Sequence, residues 1–270
     1  MGRYFLRLAY NGSAFHGWQS QPNAISVQQR LEESISILLR SHISITGAGR
    51  TDTGVHAKEM YAHFDYENEI ADTIGFITSL NKLVGKEIAV DGIYKVNDDC
   101  HARFDAVSRT YKYFISYQKS PFLYPFSYYY YRKLDIEKMN EGCEILKETV
   151  DFTSFAKLHS DNKTNICEVS SAYWKPIDEK ELQSIPFLPL NGIVFSITAD
   201  RFLRNMVRSI VGTMVDIGRG KYDIERLKEI IEKRSRNEAG TSMPAEGLFL
   251  WEVKYPYQHL LKEKYHDPLK

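Results

Sequence analysis

The sequence predicts an α+β protein made of two lobes that share one plan. Strand-like and helix-like segments alternate along the chain, and the order found in the first half recurs in the second. No low-complexity linker separates the halves, so we expect the two lobes, 1–105 and 106–270, to pack closely. Their sheets are expected to form one continuous, mostly antiparallel surface. A chain of 270 residues is long enough to bury the necessary core.

The first half follows the order β-α-β-β-α-β. Residues 3–10 alternate in polarity and end at Asn11-Gly12-Ser13, which is typical of a strand that enters a turn. Ser26 and Gln29 form a capping box, which predicts a helix that ends near Arg40. The remaining segments are strands near 42–48 and 58–66, a helix from Thr73 to Gly85 and a strand from Ile88 to Val96.

The second half repeats this order without obvious sequence identity. An aromatic loop, 122–131, follows its first strand, and the polar segment 157–165 is expected to form a mobile excursion. A proline-containing loop is expected at 184–190. The predicted elements are strands at 107–117, 167–175, 192–199 and 248–253, and helices at 135–147, 202–217 and 223–234.

Charge is balanced overall but segregated along the chain. Lys and Arg together number 35, as do Asp and Glu, so no net field indicates a polyanionic partner. The segment 100–133 contains one acid, Asp105. Its basic residues are Arg103, Arg109, Lys112, Lys119, Arg132 and Lys133. One face of the protein can therefore be basic and suit a nucleic acid.

The cysteines and the apolar runs indicate the compartment. Cys100, Cys143 and Cys167 are widely spaced and form no CxxC pair, which argues against a disulfide framework or a structural zinc site. The N-terminal residues enter a strand-like run without a signal-peptide pattern. No apolar run approaches the roughly 20 residues that a membrane helix needs. We therefore expect a protein of the reducing cytoplasm with no membrane partner.

The candidate site begins with the stretch Gly47–Ala57. Its glycines flank Arg50 and Asp52 between two strand-like runs, so a tight turn would hold Asp52 rigidly at the end of a sheet. The simplest alternative is a turn in which Asp52 only bonds local backbone amides. A phosphate-binding loop is excluded because Gly-Lys-Ser/Thr is absent and a strand follows instead of a helix. A metal site formed by Asp52, His56 and His63 has suitable residue types, but their spacing matches no ligand pattern known to us.

The far half contributes a pair of arginines. In the predicted helix 202–217 the apolar residues form one stripe, and Arg204 and Arg208, four residues apart, share the neighbouring face. These arginines are either solvated or supply the cation that keeps a carboxylate nucleophile ionised. An arginine suits the second role because it does not deprotonate.

The stretch Gly49–Ala57 resembles, residue for residue, the signature Gly-Arg-Thr-Asp-x-Gly-Val-His-Ala of the TruA tRNA pseudouridine synthases. Further stretches match that family in the same order: Tyr10–Gln19, Phe104–Tyr113, Asn205–Gly212 and Pro244–Leu250. The resemblance therefore spans nearly the whole chain. Asn11 stands where the family often has Asp, and Arg204 stands where other side chains are common, which bears on RNA contacts.

The resemblance implies the two-lobed pseudouridine synthase fold, with two ferredoxin-like halves and an active-site cleft between them. It implies an isomerase that converts uridine to pseudouridine at positions 38, 39 and 40 in the anticodon stem-loop of tRNA. No metal or nucleotide cofactor is expected, because breaking the C1′–N1 bond and rejoining through C5 is chemically neutral overall. The resemblance further implies a homodimer that binds tRNA in basic clefts.

By position in the family motifs, the resemblance makes Asp52 the catalytic nucleophile, Tyr111 the ring that packs against the target uracil, and Arg208 the cation paired with Asp52. Arg50 is expected to shape the catalytic loop. The other implied substrate-binding residues are Val55, His56, Arg204, Asn205 and Leu248. A uridine must leave its stem to react, and stacking on Tyr111 recovers part of that cost. Attack of Asp52 at C1′, attack at C6 and assisted glycal formation are all open at this stage, as is the base that takes the C5 proton.

Two other functions fit parts of the same pattern. A non-catalytic protein that binds or refolds tRNA would use the same basic, aromatic surface, but it would gain nothing from Asp52. A metal-dependent hydrolase would use His56 and His63, and chelators would inhibit it. Loss of product formation with retained tRNA binding in an Asp52→Asn variant would separate the isomerase from the first alternative.

Overall fold

A computed structural model describes residues 2–157, 163–185, 188, 189 and 191–261 of the chain. The strands are β1 (Gly2–Tyr10), β2 (Thr46–Gly47), β3 (His56–Tyr66), β4 (Ile88–Val96), β5 (Ser108–Ser116), β6 (Tyr128–Tyr129), β7 (Val169–Pro176), β8 (Gly192–Ala199) and β9 (Leu248–Lys254). The helices are α1 (Val27–Leu39), α2 (Thr73–Leu83), α3 (Ile136–Glu148), α4 (Glu179–Ser184), α5 (Met206–Gly218) and α6 (Ile224–Glu232). The predicted α+β class is confirmed.

The chain divides into two units. The first comprises the described residues of Met1–Val107 and Leu250–Lys270, and the second comprises Ser108–Phe249. The division falls two residues after the predicted boundary at 105. The second unit ends at Phe249 and not at residue 270, because the chain after Phe249 packs within the first unit. Tyr255, for example, donates a hydrogen bond to the Ala102 carbonyl at 2.6 Å.

The sheet of the first unit is antiparallel and follows the predicted order β-α-β-β-α-β. Strand β1 lies between β3 and β4, so that Leu6 is opposite Ala62 on one side and Ile93 on the other. The short β2 pairs with β3 and leads into the glycine-rich stretch. The predicted helix start is confirmed, since the Ser26 side chain accepts a hydrogen bond from the Gln29 amide at the start of α1. The Gln29 side chain donates to Glu33.

In the second unit, β8 lies between β5 and β7 and is antiparallel to both, while β6 pairs with β5 in parallel. Tyr111 on β5 is opposite Ile197 on β8, which in turn is opposite Ala172 on β7. Helix α3 packs on β7 and against α5, and the rings of Trp174 and Phe195 stack at 4.9 Å. The mostly antiparallel pairing that we expect is therefore present in both units.

The same device joins a helix to a strand in each unit. Asn81 on α2 donates to the Val90 carbonyl and accepts from the Val90 amide, both at 2.8 Å. Asn140 on α3 makes the same two bonds with the backbone of Trp174, at 3.0 and 2.7 Å. A carboxamide suits this role because it offers one donor and one acceptor side by side. This repeated contact supports the shared plan of the two halves.

We expect Asn140→Ala to lower the free energy of unfolding by about 1–3 kcal/mol, because two partly buried backbone groups of Trp174 lose their partners. Urea unfolding followed by circular dichroism measures this change. Glu141→Ala is the control, since Glu141 is an exposed neighbour on the same helix and should change stability by less than about 0.5 kcal/mol. Equal effects of the two substitutions would contradict the assigned role of Asn140.

Helix α4 is an element that the sequence analysis missed. Asp178 caps it by accepting from the Lys180 and Glu181 amides, and Glu181 is almost fully buried, 1% exposed. Its carboxylate forms ion pairs with Lys112 at 2.8 Å and Lys175 at 3.1 Å. The helix thus covers β5 on the side opposite to Tyr111. Its six residues are too few to show a helical period in sequence.

Several sequence-based boundaries are corrected. The strand predicted at 42–48 is reduced to β2, and the helix predicted at 202–217 begins only at Met206. Of the loops expected at 157–165 and 184–190, residues 158–162, 186, 187 and 190 lie outside the described residues. No helix in the described part of the chain is long and apolar enough to cross a membrane.

All three cysteines are buried and free of disulfide bonds. Burial raises the pKa of the Cys143 and Cys167 thiols to about 12. A protonated, buried thiol is a small apolar group and a poor nucleophile. The cysteines therefore belong to the core, in agreement with the expectation that they form no disulfide framework.

Candidate active site

The glycine-rich stretch forms a tight turn after β2. The Val55 amide donates to the Asp52 carbonyl at 3.1 Å, which closes a four-residue turn. Gly54 occupies its third position with φ +80°, as a type II turn requires, and only glycine adopts this angle without steric cost. The Asp52 side chain is half-buried, whereas Arg50 is exposed. The turn thus fixes the backbone of the one acid in this stretch.

A second segment packs directly on this turn. Trp18 donates its amide to the Thr51 carbonyl at 3.2 Å, and the Tyr10 hydroxyl bonds the Thr51 hydroxyl at 2.8 Å. A Cβ on Gly12 would overlap the Val55 carbonyl, and one on Gly17 would lie 2.5 Å from the Thr51 carbonyl oxygen. The stretch Tyr10–Gln19 therefore supports the Asp52 turn by backbone contact.

Asn11, which differs from the residue usual in the TruA family, caps the short turn that follows it. Its side-chain oxygen accepts from the Ser13 amide at 3.1 Å and from the Ser13 hydroxyl at 2.6 Å. A carboxylate would accept the same two bonds. The difference at this position therefore preserves the local structure around the Asp52 turn.

Val55 and His56, predicted to bind substrate, are buried, with 2% and 1% of their surfaces exposed. His56 accepts the Gly12 amide proton on Nδ1 at 3.0 Å. His63 accepts the Ala102 amide proton on Nδ1 at 3.1 Å, and burial lowers its pKa to about 4. The described residues contain no cluster of three or more His, Cys, Asp or Glu side chains that could hold a metal. Both histidines thus have structural contacts within the first unit.

In the second unit, Tyr111 is half-buried in the middle of β5. Its ring meets Phe202 edge to face, with the centroids 5.0 Å apart. Such a contact restricts the ring of Tyr111 while leaving one face of it uncovered by Phe202. Phe202 lies in the irregular segment before α5 and not inside the predicted helix 202–217.

Helix α5 begins later than predicted because of Asn205. This residue has φ +66°, a left-handed conformation that no helix interior contains, and it precedes the first helical residue. Arg204 therefore lies outside the helix and is exposed, while Arg208 is in its first turn and half-buried. The expectation that Arg204 and Arg208 share one helical face is wrong.

Residues 239–243, which we call the strap, run along α5 and hold Arg208. The Arg208 Nε donates to the Met243 carbonyl at 2.6 Å, and the Met243 amide donates to the Arg208 carbonyl at 3.0 Å. A Cβ on Gly212 would overlap the Thr241 carbonyl, so the strap and helix approach backbone to backbone. The guanidinium of Arg208 is thus anchored at one edge, which limits its rotation.

Arg236 and Ser242, which the sequence analysis did not identify, fix the strap. Arg236 donates to the Gly240 carbonyl at 3.1 Å and to the Ser242 hydroxyl at 2.7 Å. Asn205 donates to the same hydroxyl at 2.5 Å. The strap leads directly into the matched stretch Pro244–Leu250, where the Tyr113 hydroxyl bonds the Pro244 carbonyl. The position of Ser242 directly before this matched stretch is the feature of the sequence that could have indicated the strap.

The predicted residues fall into two groups. The first unit contains Arg50, Asp52, Val55 and His56, which lie in or beside the Asp52 turn. The second unit contains Tyr111, Arg204, Asn205, Arg208 and Leu248. Leu248 starts β9 and is buried, 4% exposed. The pairing of Arg208 with Asp52 and the cleft between the lobes stay predictions.

Comparison of the sequence with known proteins identifies the class of enzyme that the chain resembles. A family model described as tRNA pseudouridine synthase matches residues 148–256. The chain is 49% identical over 256 residues to tRNA pseudouridine synthase A of Parabacteroides distasonis, covering 95% of this chain and 97% of that protein. Identity to the protein of the same name from Bacteroides thetaiotaomicron is 48%, covering 95% and 91%. Identity to tRNA pseudouridine synthase A 1 of Protochlamydia amoebophila is 35%, covering 93% and 96%.

The chain therefore belongs to the tRNA pseudouridine synthase A family. This membership confirms the resemblance seen in the stretch around Asp52. It also agrees with the α+β units and their mostly antiparallel strands.

Proposed function

We propose that this protein isomerises uridine to pseudouridine in tRNA, at positions 38, 39 and 40 of the anticodon stem-loop. Family membership supports the reaction and the substrate class. The observation that carries the proposal is the Asp52 turn, closed by the Val55 amide and backed by Gly12 and Gly17. A protein that only bound RNA phosphates would gain nothing from a carboxylate held in this way, because the two charges repel.

The reaction rearranges bonds without any change in composition. The C1′–N1 bond breaks, a C1′–C5 bond forms, the C5 proton leaves to a base, and N1 regains a proton. Electrons and atoms balance within the uridine and solvent. The chain must therefore supply a nucleophile or charge stabiliser, a closed pocket and a proton acceptor.

Asp52 is the proposed nucleophile. The hydrogen bond between the Val55 amide and the Asp52 carbonyl fixes the backbone that carries the carboxylate. Thr51 is tied on its other side by Tyr10 and Trp18. A carboxylate held by such a frame needs little reorganisation when it meets the substrate, which lowers the barrier.

Tyr111 is the proposed stacking partner for the target base. A paired uridine must leave the helix before any side chain can reach C1′ or C5, at a cost of a few kcal/mol. Stacking on an aromatic ring recovers about 1–3 kcal/mol per base. The edge contact with Phe202 orients the Tyr111 ring before the base arrives, so less entropy is lost on binding.

Arg208 is the proposed cation that keeps Asp52 ionised and ready to react. A guanidinium stays charged at any physiological pH, and an opposite charge favours the carboxylate form. The bond from Arg208 Nε to the Met243 carbonyl holds the guanidinium beside the strap. Arg236 and Ser242 act as positioning residues, because they hold the strap to which Arg208 is bonded.

The protein is further proposed to act as a homodimer in the cytoplasm, as the family resemblance implies. The buried, unpaired cysteines are compatible with a reducing compartment. Light scattering on the purified protein would give twice the mass of one chain for the dimer. The mass of a single chain at the assay concentration would contradict it.

The test is to incubate the purified protein with an unmodified tRNA transcript that carries uridines at positions 38–40. We expect pseudouridine at those positions, detected by carbodiimide labelling and primer extension, and unchanged activity in EDTA. A transcript with cytidine at the three positions is the control. Binding of tRNA without pseudouridine formation would favour the non-catalytic alternative, and inhibition by EDTA would favour a metal enzyme.

A further inference from the structure

The segment 117–134, which joins β5 to α3 and includes β6, combines aromatic and basic side chains and contains no Asp or Glu. Its aromatic residues are Tyr117, Phe122, Tyr124, Phe126, Tyr128, Tyr129, Tyr130 and Tyr131. Its cations are Lys119, Arg132 and Lys133, and all of them are exposed. Phe126 packs on Phe249, and the Tyr117 hydroxyl accepts from the Leu134 amide. The proposed roles of Asp52, Tyr111 and Arg208 do not account for the exposed rings and cations.

Several of these rings face solvent. Phe122 is 85% exposed, Tyr124 68%, Tyr131 65% and Tyr129 43%. A phenylalanine ring packed in a core removes its apolar surface from water, and Phe122 gains almost none of that benefit. Aromatic rings grouped in this way on a folded surface are typical of a binding site.

The exposed rings are attached to an ordered backbone. Strand β6 pairs with the end of β5, with Tyr128 opposite Ile115, and the Tyr130 amide donates to the Ser116 carbonyl at 2.8 Å. The Phe126 amide donates to the Leu123 carbonyl at 2.8 Å, which closes a turn beside Phe122 and Tyr124. The rings are therefore presented by a framework that is anchored to the sheet of the second unit.

One cation already lies on an aromatic ring. The Arg132 guanidinium carbon is 5.0 Å from the centre of the Tyr131 ring, and the Tyr130 ring packs beside it at 5.6 Å. Arginine stacked in this way keeps its nitrogens available to a phosphate while its flat face covers the ring. The surface thus offers both elements that bind a nucleic acid strand, planar faces and positive charge.

The charge pattern favours RNA over a second copy of the chain. A two-fold axis through this segment would place Lys119, Arg132 and Lys133 close to their own counterparts, with no acid in the segment to offset them. A paired RNA helix would shield its bases from the rings. Unpaired nucleotides satisfy both features, because each supplies one phosphate and one free base face.

We propose that the segment 117–134 is a stacking surface for unpaired nucleotides of the RNA substrate, in addition to the site that modifies the uridine. Phe122, Tyr124 and Tyr131 stack on bases, and the flanking cations contact phosphates. This inference rests on the proposed function only in taking tRNA as the RNA. The surface contributes to affinity and not to the chemical step.

The first experiment measures steady-state kinetics and tRNA affinity for Phe122→Ser and Tyr124→Ser. Each is expected to raise KM and Kd for the tRNA transcript by about tenfold, with kcat unchanged. Tyr124→Phe should restore the wild-type values, because it keeps the ring. Tyr173→Ser is the matched control, since Tyr173 is a 40% exposed ring on β7 outside the segment and its loss should change neither constant.

The second experiment measures how tRNA affinity depends on salt. A variant in which Lys119, Arg132 and Lys133 are all Gln should reduce the slope of log K against log salt by about 0.7 for each phosphate that the variant no longer neutralises. Unchanged affinity and slope in both sets of variants would overturn the proposal. Two other results, each with tRNA affinity intact, would also overturn it. A reduced dimer mass would assign the surface to a second copy of the chain, and lost binding to anionic phosphatidylglycerol vesicles would assign it to a membrane. If the wild type bound tRNA but made no pseudouridine, the proposed function would fail while these binding results still decided the surface.

Discussion

Replacing Asp52 by Asn is expected to reduce pseudouridine formation by at least about 10³-fold, because an amide is neither an anion nor an effective nucleophile. Affinity for tRNA should change by less than about twofold, since Asn has the same shape as Asp and this position is half-buried. The turn itself is preserved, because the Val55 amide bonds the backbone carbonyl of residue 52. Release of tritium from tRNA labelled at C5 of uridine measures the chemistry.

Asp91→Asn is the matched control for that substitution. It removes the same charge from the first unit, at an exposed position on β4 whose carboxylate pairs with Arg7. Activity should stay within about twofold of wild type, since exposed ion pairs contribute little to stability. Equal melting temperatures would show that both variants are folded. Persistence of tritium release in Asp52→Asn would remove the assignment of Asp52 as nucleophile.

Replacing Arg208 by Leu is expected to lower kcat by about 10²-fold with a much smaller effect on tRNA affinity, because an interaction needed mainly in the reaction has been removed. The physical reason is the loss of the cation that we propose to pair with the Asp52 carboxylate. Single-turnover rates test this, together with Kd from filter binding.

Arg208→Lys separates charge from geometry. Lysine keeps a cation but has no Nε–H to donate to the Met243 carbonyl, so the end of its side chain is no longer anchored to the strap. We expect an intermediate loss, about tenfold in kcat. Arg219→Leu, at the other end of α5, is the control, since Asp216 retains Lys221 as a partner. A rise in KM with unchanged kcat in Arg208→Leu would make Arg208 a phosphate contact.

Local sequence signals located much of the fold. The capping box at Ser26 and Gln29 predicted the start of α1, and the strands predicted at 88–96 and 192–199 have the observed bounds of β4 and β8. Such elements are determined by short-range hydrogen bonds and by the period of apolar residues, both of which are visible in a sequence. The Asp52 turn was predicted for the same reason, because glycines mark the positions where the backbone needs unusual angles.

Predictions failed where contacts distant in sequence outweigh local preference. The apolar period across 202–217 favours a helix throughout, yet Asn205 adopts φ +66° and donates to Ser242, which lies in the strap. Helix α4 owes its position to the ion pair between Glu181 and Lys112, two residues 69 positions apart. No pattern within either segment reveals such a partner.

The sequence by itself determined the class, the alternating α+β order and the acid in the glycine-rich turn, because these depend on residue type and spacing along the chain. Only the tertiary structure decided what supports them. Gly12 and Gly17 are needed because their own backbone lies directly against the Asp52 turn. Gly212 is needed because the strap lies against α5. These close approaches join segments that are far apart in sequence, and packing in three dimensions alone brings them together.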